Sequence, residues 1–275
     1  FSNTNTRMQV PEKFDIKMIK AEAASTEYTN TTWDDIRVMG SMAMHALRKS
    51  KDVATFYKSQ GPRYDGFREA LLPDRDTMMQ YGVPWTQPIN CWVSVGCGTA
   101  RDIEFVLDKI KKSKKMKVYL LDLSPALLEI AKQRVERLGI SKQVKLIQGD
   151  ITDMKFLKSQ EFYGKCDLVT CSYCLTMIPN WNQALVAMNS MLKTNGFLSL
   201  VDFTMRYRRE TRLDQRFYRW WFSNDGVYFN RNHVEWLRKN LKQVWYYENS
   251  SRVPYTVLYP THYVFVGRKT GKKVD

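Results

Sequence analysis

The sequence predicts an α/β fold built on a mostly parallel sheet, and three observations carry that prediction. From residue 91 onward, short apolar runs alternate with helical stretches, as βαβ units require. Turn and cap residues such as Ser124, Pro125 and Gly139 fall between those runs. Of 275 residues, 44% are hydrophobic and 13% aromatic, a composition that belongs to a globular chain rather than a disordered one.

The first ~85 residues have a different texture and read as a helical lid segment (1–85). In "TWDDIRVMGSMAMHALRKS" (32–50), Ile36, Met39, Ala43, Ala46 and Leu47 approximate one helical face. "FYKSQGPRYDGFREALLPDR" follows as a loop and short helix, and the two prolines of "GVPWTQPIN" (82–90) mark the joint to a second region (86–275). There "CWVSV" reads as a strand, with a helix from about Arg101. "KVYLLD" (117–122) is a strand, and "SPALLEIAKQRVERLG" a helix capped by Ser124 and stopped by Gly139. "VKLIQGD" (144–150) and "CDLVTCSY" (166–173) are strands separated by a weaker helix. "NQALVAMNSMLKTNG" reads as a helix ending in Asn-Gly, before a fifth strand, "FLSLVDF" (197–203). An aromatic and basic insertion spans about 204–240, and "QVWYYENS" and "HYVFVGRK" look like a closing strand pair.

The formal net charge of +15 suggests an anionic partner: nucleic acid, an anionic membrane surface or a phosphorylated substrate. Lysine-rich solvated surface is the plainer account of "KIKKSKKMK" (109–117). Five cysteines, an odd number in apolar or turn contexts, argue against a secreted disulfide framework. Cys171 and Cys174 form a lone C-x-x-C with no second pair and no nearby histidine, which argues against a metal. No run approaches 18 apolar residues, and the opening "FSNTNTRMQVPEKF" has neither a signal-peptide core nor an initiator methionine. The expectation is a portion of a longer polypeptide, working in a reducing, cytoplasmic compartment.

In an open parallel sheet, ligands bind beyond the carboxyl ends of the strands. The Gly96-Cys97-Gly98 turn follows the first strand, where glycine permits positive φ and close approach of a ligand. Asp122 closes the second strand, 26 residues after Gly96, where a carboxylate can accept from both hydroxyls of a ribose. A dinucleotide fingerprint needs a small residue where Arg101 stands, and no Gly-x-x-x-x-Gly-Lys-Ser/Thr phosphate loop occurs. The pattern left is a ligand with an adenosine and no phosphates. Asp150, ending the third strand, can take an adenine amino group while Ile151 packs on the ring; it can equally be a turn or capping residue.

The glycine turn, Asp122, Asp150 and the block "LKTNGFLSLVDF", taken in order, resemble class I S-adenosylmethionine-dependent methyltransferases over residues 91–203. That resemblance implies a Rossmann-like, seven-stranded sheet whose last two strands form an antiparallel hairpin. It implies S-adenosyl-L-methionine as cofactor, S-adenosyl-L-homocysteine as product, and no metal. Gly96, Cys97 and Gly98 would cradle the cofactor, Asp122 and Leu123 its ribose and adenine edge, Asp150 and Ile151 its adenine. Cys171, and a lid carrying Tyr57 and Tyr64, would complete the enclosure. Two positions depart from the family: Ser94 stands where an acid is usual, and Asn195-Gly196 replaces Gly-Gly. The first leaves the bracing of the cofactor loop open; the second is benign, because asparagine tolerates the left-handed region.

A narrower resemblance rests on "FYKSQGPRYDGFREALLP", "SYCLTMIPNW", "VDF" and "RWWFSNDGVYFNRNHVEWL". Together these are similar to the N-methyltransferase part of betaine lipid synthases, across roughly residues 56–268. It implies trimethylation of the homoserine amine of diacylglyceryl-homoserine, with an aminocarboxypropyl-transferring part fused or associated. It also implies a protein peripheral to a membrane surface such as that of the endoplasmic reticulum. Residues 206–222 carry six arginines among Tyr207, Phe217, Tyr218, Trp220, Trp221 and Phe222, a mixture suited to an anionic bilayer boundary or to a lid over the site. The alternatives are a soluble amine or RNA as acceptor, or a non-catalytic scaffold. The "CSYCLTMIPNW" loop lacks the Asn/Asp-Pro-Pro-aromatic pattern of base methylation, which argues against nucleic acid. Tyr173 is the first candidate for contact with the acceptor amine and Asp202 the second, each with a structural alternative as pocket wall or capping residue. Arg63 or Arg101 can hold a carboxylate. His233 and His262 are weaker candidates, with His262 expected in a strand.

Overall fold

The computed structural model describes residues 72–205, 227–251 and 259–271. Five strands run parallel: β1 (Cys91–Val95), β2 (Lys117–Asp122), β3 (Val144–Gln148), β4 (Cys166–Ser172) and β5 (Leu192–Thr204). Beyond β5 come β6 (Lys242–Ser250) and β7 (Thr261–Arg268), with β7 antiparallel to both β5 and β6. The seven form one sheet in the order β3-β2-β1-β4-β5-β7-β6. Helices α1 (Arg75–Tyr81), α2 (Leu107–Lys112), α3 (Pro125–Arg137), α4 (Met154–Ser159), α5 (Trp181–Met191) and α6 (Asn232–Asn240) complete the described elements. This is the Rossmann-like architecture of class I methyltransferases, with its antiparallel terminal hairpin. No helix among the described residues is long and apolar enough to cross a membrane.

β1 pairs with β2 on one side and β4 on the other, so the strand order reverses between β1 and β4. Their carboxyl ends flank the crevice where such sheets bind ligands. Both faces of the sheet are covered, and β1 and β4 are accordingly buried along nearly their whole length. One face packs Trp92, Val118 and Val201 with Met78, Met79 and Ile103; the other packs Val93, Val95 and Val169 with Leu157, Leu185 and Met188. Asp167 accepts from the Asn90 and Cys91 amides (2.8 and 2.9 Å), which aligns the start of β4 with that of β1.

The described end of the predicted 1–85 segment shares this core: Leu72, Met78, Met79 and Val83 pack with Trp92, and the Trp85 ring stands edge-on to Trp92 at 6.3 Å. Two predicted helices are placed differently. The one expected from Arg101 is a 3-10 turn (Arg101–Val106) that becomes α-helical only at Leu107. Ala100, in the N-cap position with φ 59°, has no side-chain acceptor for the first amides. The helix expected to reach Asn195-Gly196 ends at Met191, because Lys269 Nζ donates to the Asn189 and Leu192 carbonyls (2.8 and 2.7 Å) and Leu192 already pairs with β4. Asn195 does take a left-handed φ, 68°, within the bend of β5.

Candidate active site

The glycine turn follows β1 with φ 61° at Gly96 and 54° at Gly98. A Cβ on Gly96 would lie 2.6 Å from Cys174 Cβ and closer still to its Sγ, so no larger residue fits where the ends of β1 and β4 meet. The Cys97 amide donates to the Leu121 carbonyl (3.2 Å), tying the turn to β2. At the end of β2, Asp122 accepts from the Gly98 amide (2.8 Å) through Oδ2 and from the Ser124 amide (2.9 Å) through Oδ1. The Gly149 amide donates to the Asp122 carbonyl (3.1 Å), so the ends of β1, β2 and β3 form one ledge.

Leu123, beside Asp122, is 68% exposed, a large apolar side chain left bare on that ledge. Ile151 is buried below it in the sequence, and Asp150 is exposed, its Oδ1 accepting from the Thr152 amide and hydroxyl at 2.7 Å each. Asp150 therefore makes an Asx turn. Cys171 is fully buried within β4, opposite Val95. Tyr57, Tyr64 and Arg63, like the 32–50 helix and the 206–222 segment with Trp220 and Trp221, lie outside the described residues. A half-buried carboxylate, an uncovered leucine and a glycine corner suit a ribose and a flat base. These residues fit an adenosine-bearing cofactor.

Ser94 is buried in β1, and an acid the sequence reading passed over lies close by in the fold. Asp102, four residues after Gly98, is 7% exposed, and its Oδ1 accepts from Arg75 Nε (2.9 Å) and Nη2 (2.5 Å) of α1. Its Oδ2 accepts from the Ser172 hydroxyl (2.5 Å) at the end of β4. One buried carboxylate thus joins α1, the turn after β1 and β4. The only signal in the sequence was an acid following the glycine turn, and its partners lie 27 and 70 residues away. Burial, together with the Asp122 and Asp102 carboxylates, pushes the Cys97 thiol well above its usual range and keeps it protonated.

Tyr173 stands just past β4 with φ 49°, a backbone region rarely taken by a bulky residue. Its hydroxyl donates to the Pro73 carbonyl (2.8 Å), and its ring meets Phe203 at 4.7 Å. Burial, with Asp74 and Asp202 nearby, raises its phenol well above the usual range. Asp202 is fully buried; its oxygens accept from the Thr176 hydroxyl (2.6 Å) and amide (3.1 Å) and from the Phe203 amide (2.7 Å). It braces the turn after β4, and burial outweighs those bonds to raise its carboxyl to about 6. Arg101 pairs with Glu104 and lies over the Phe105 ring. His233 is buried on α6 against Trp181, its imidazole pushed down to about 4 by burial. His262 lies in β7, as expected, and bonds Asp74 at 2.5 Å.

A family model described as a methyltransferase domain matches residues 93–249. Among curated proteins, the chain is similar to the ubiquinone/menaquinone biosynthesis C-methyltransferase UbiE of Marinomonas sp. (strain MWYL1). Identity there is 25% over 162 residues, 57% of this chain and 61% of that protein. It is also similar to the 2-phytyl-1,4-naphtoquinone methyltransferase of Trichormus variabilis (strain ATCC 29413 / PCC 7937), at 23% over 172 residues, 62% of this chain and 72% of that one. Among solved structures, an O-methyltransferase family protein from Burkholderia thailandensis superposes with a TM-score of 0.55 at 14% identity. The match covers 87% of this chain and 70% of that one, and is a likeness of fold.

Proposed function

The chain belongs to the methyltransferase-domain family, and from that premise we propose that it methylates the homoserine amine of diacylglyceryl-homoserine at an anionic membrane surface. Bound on the ledge, S-adenosylmethionine supplies an electrophilic methyl group carried on a sulfonium. Asp122 would hold the ribose hydroxyls, Leu123 and Ile151 would pack on the adenine, and the Gly96–Gly98 turn would let the methionyl part approach the backbone. The Tyr173 hydroxyl has committed its proton to Pro73, so toward an ammonium it acts only as an acceptor. Asp202 acts through Thr176 to hold the β4 turn that presents Tyr173. These groups align the amine and exclude water.

The observation that carries the lipid reading is an apolar rim at the carboxyl end of β4. Met177 is 42% exposed and Tyr228 55%, and the Tyr228 amide donates to the Thr176 carbonyl (2.8 Å), fixing the two side by side. Met205 and Val227 flank the arginine- and tryptophan-rich segment in sequence. An apolar rim beside a basic stretch suits a diacyl lipid with a polar headgroup.

Labelled cofactor, incubated with the full chain and diacylglyceryl-homoserine in vesicles, should carry label into the organic phase. Met177→Glu should raise the KM for that lipid about tenfold and leave cofactor affinity unchanged. Label appearing only in soluble amines or RNA would sink the lipid reading.

A further inference from the structure

We propose that Asp74 and His262 form a proton-accepting pair for the methyl acceptor, with His262 Nδ1 as the atom that takes the proton. The inference rests on the methyltransferase reading above and deepens it at the same site.

His262 is fully buried in β7, and its Nε2 lies 2.5 Å from Asp74 Oδ2. A carboxylate accepts only, so it selects the Nε2–H tautomer and leaves a lone pair on Nδ1. That Nδ1 has no hydrogen-bond partner among the described residues. Buried polar atoms without a partner are few in folded proteins; His233 Nδ1 is another among the described residues, but its ring has no carboxylate bonded to it.

Asp74 shows the same specialisation. It occupies the N-cap of α1, where aspartate ordinarily caps the first amides, yet its side chain makes no cap bond and its φ is 62°. The carboxylate is turned instead to His262, with Tyr247 and the Thr77 hydroxyl (3.4 Å) as further donors. Burial alone would raise this carboxyl, but the His262, Tyr247 and Thr77 bonds hold it below the usual range, so it stays charged.

The pair lies near Tyr173, the side chain proposed above to face the acceptor. His262 is directly opposite Phe203 on β5, so both side chains share one face of the sheet. The Phe203 ring lies 4.7 Å from Tyr173 and 5.2 Å from Phe229. The Pro73-Asp74 dipeptide then bonds both residues, Tyr173 through the Pro73 carbonyl and His262 through the Asp74 carboxylate. Two left-handed residues, Asp74 and Tyr173, meet there, and such backbone concentrates at working sites.

In the proton step the acceptor's N–H bond breaks, its electron pair stays on nitrogen, and the proton bonds to Nδ1. The imidazolium so formed faces the Asp74 carboxylate. The other ionisable groups around the pair are Arg75 and Asp76 from α1, Tyr247 from β6, and Tyr173 just past β4, with Asp202 of β5 near Tyr173.

The test uses the full chain. His262→Gln keeps an N–H for Asp74 but removes the base, so kcat on diacylglyceryl-homoserine should fall roughly 100-fold or more. The loss should fall on kcat, while affinity for S-adenosylhomocysteine, read by calorimetry, changes less than about twofold. A His262→Gln enzyme within about threefold of wild type would overturn the proposal. Nitrogen NMR of the imidazoles gives a readout without turnover: His262 should be the Nε2–H tautomer, and Asp74→Asn should weaken that preference. An Nδ1–H tautomer would equally overturn it. If the NMR result holds and the lipid is not methylated, the pair stands and the lipid assignment fails.

Discussion

The Asp122 carboxylate accepts from the Gly98 amide at 2.8 Å, so the residue suited to the ribose also holds the glycine turn in place. Asp122→Ala should weaken S-adenosylhomocysteine binding roughly 30-fold, the loss of about 2 kcal/mol in charge-assisted hydrogen bonds. Calorimetry checks this. Unchanged affinity would place the ribose elsewhere.

Gly96 combines φ 61° with contact against Cys174. Gly96→Ala should destabilise the fold by more than the ~1–2 kcal/mol of left-handed strain alone. Adding Cys174→Gly should recover the steric part and leave the strain. Denaturant unfolding of the two variants would show that non-additivity; equal losses would mean the contact is not limiting.

The Arg75–Asp102 pair is buried, with side chains 8% and 10% exposed. Asp102→Ala strands the guanidinium and should cost about 3–5 kcal/mol, whereas Arg75→Met with Asp102→Leu should cost much less. Thermal unfolding of both variants measures this. Equal costs would mean the pair does more than neutralise itself.

Asp202 and His233 should oppose each other between pH 4 and 6.5. Asp202 is raised from 3.8 to about 6, so the folded state binds the extra proton and its contribution declines as pH rises through that window. His233 is lowered from 6.5 to about 4, so the folded state binds fewer protons and its contribution declines as pH falls. Stability measured by denaturant should therefore rise with pH more steeply in Asp202→Asn than in wild type. In His233→Phe it should rise less steeply, or fall. Parallel profiles for all three proteins would rule out either shift.

How legible the molecule was from its sequence follows the range of each interaction. The strands of the sheet were readable because burial on both faces imposes apolar runs. The α3 cap at Ser124 and the left-handed Asn195 were readable because caps and turns depend on a few neighbouring residues. The start of α2 was misjudged because the chain opens at Arg101 as a 3-10 turn whose N-cap position, Ala100, offers no side-chain acceptor, a local deficit that the apolar pattern hides. The end of α5 was misjudged because its closing donor, Lys269, comes from 77 residues away.

The same boundary runs through the site. The sequence by itself determined the glycine corner and the acid closing β2, since each is a short pattern attached to a strand end. Only the tertiary structure decided that Asp102 sits buried among Arg75 and Ser172, and that Asp74 meets His262 across 188 residues. A carboxylate's role depends on which donors the fold brings within 3 Å and how much water it removes. Neither is written in the residues adjacent to it.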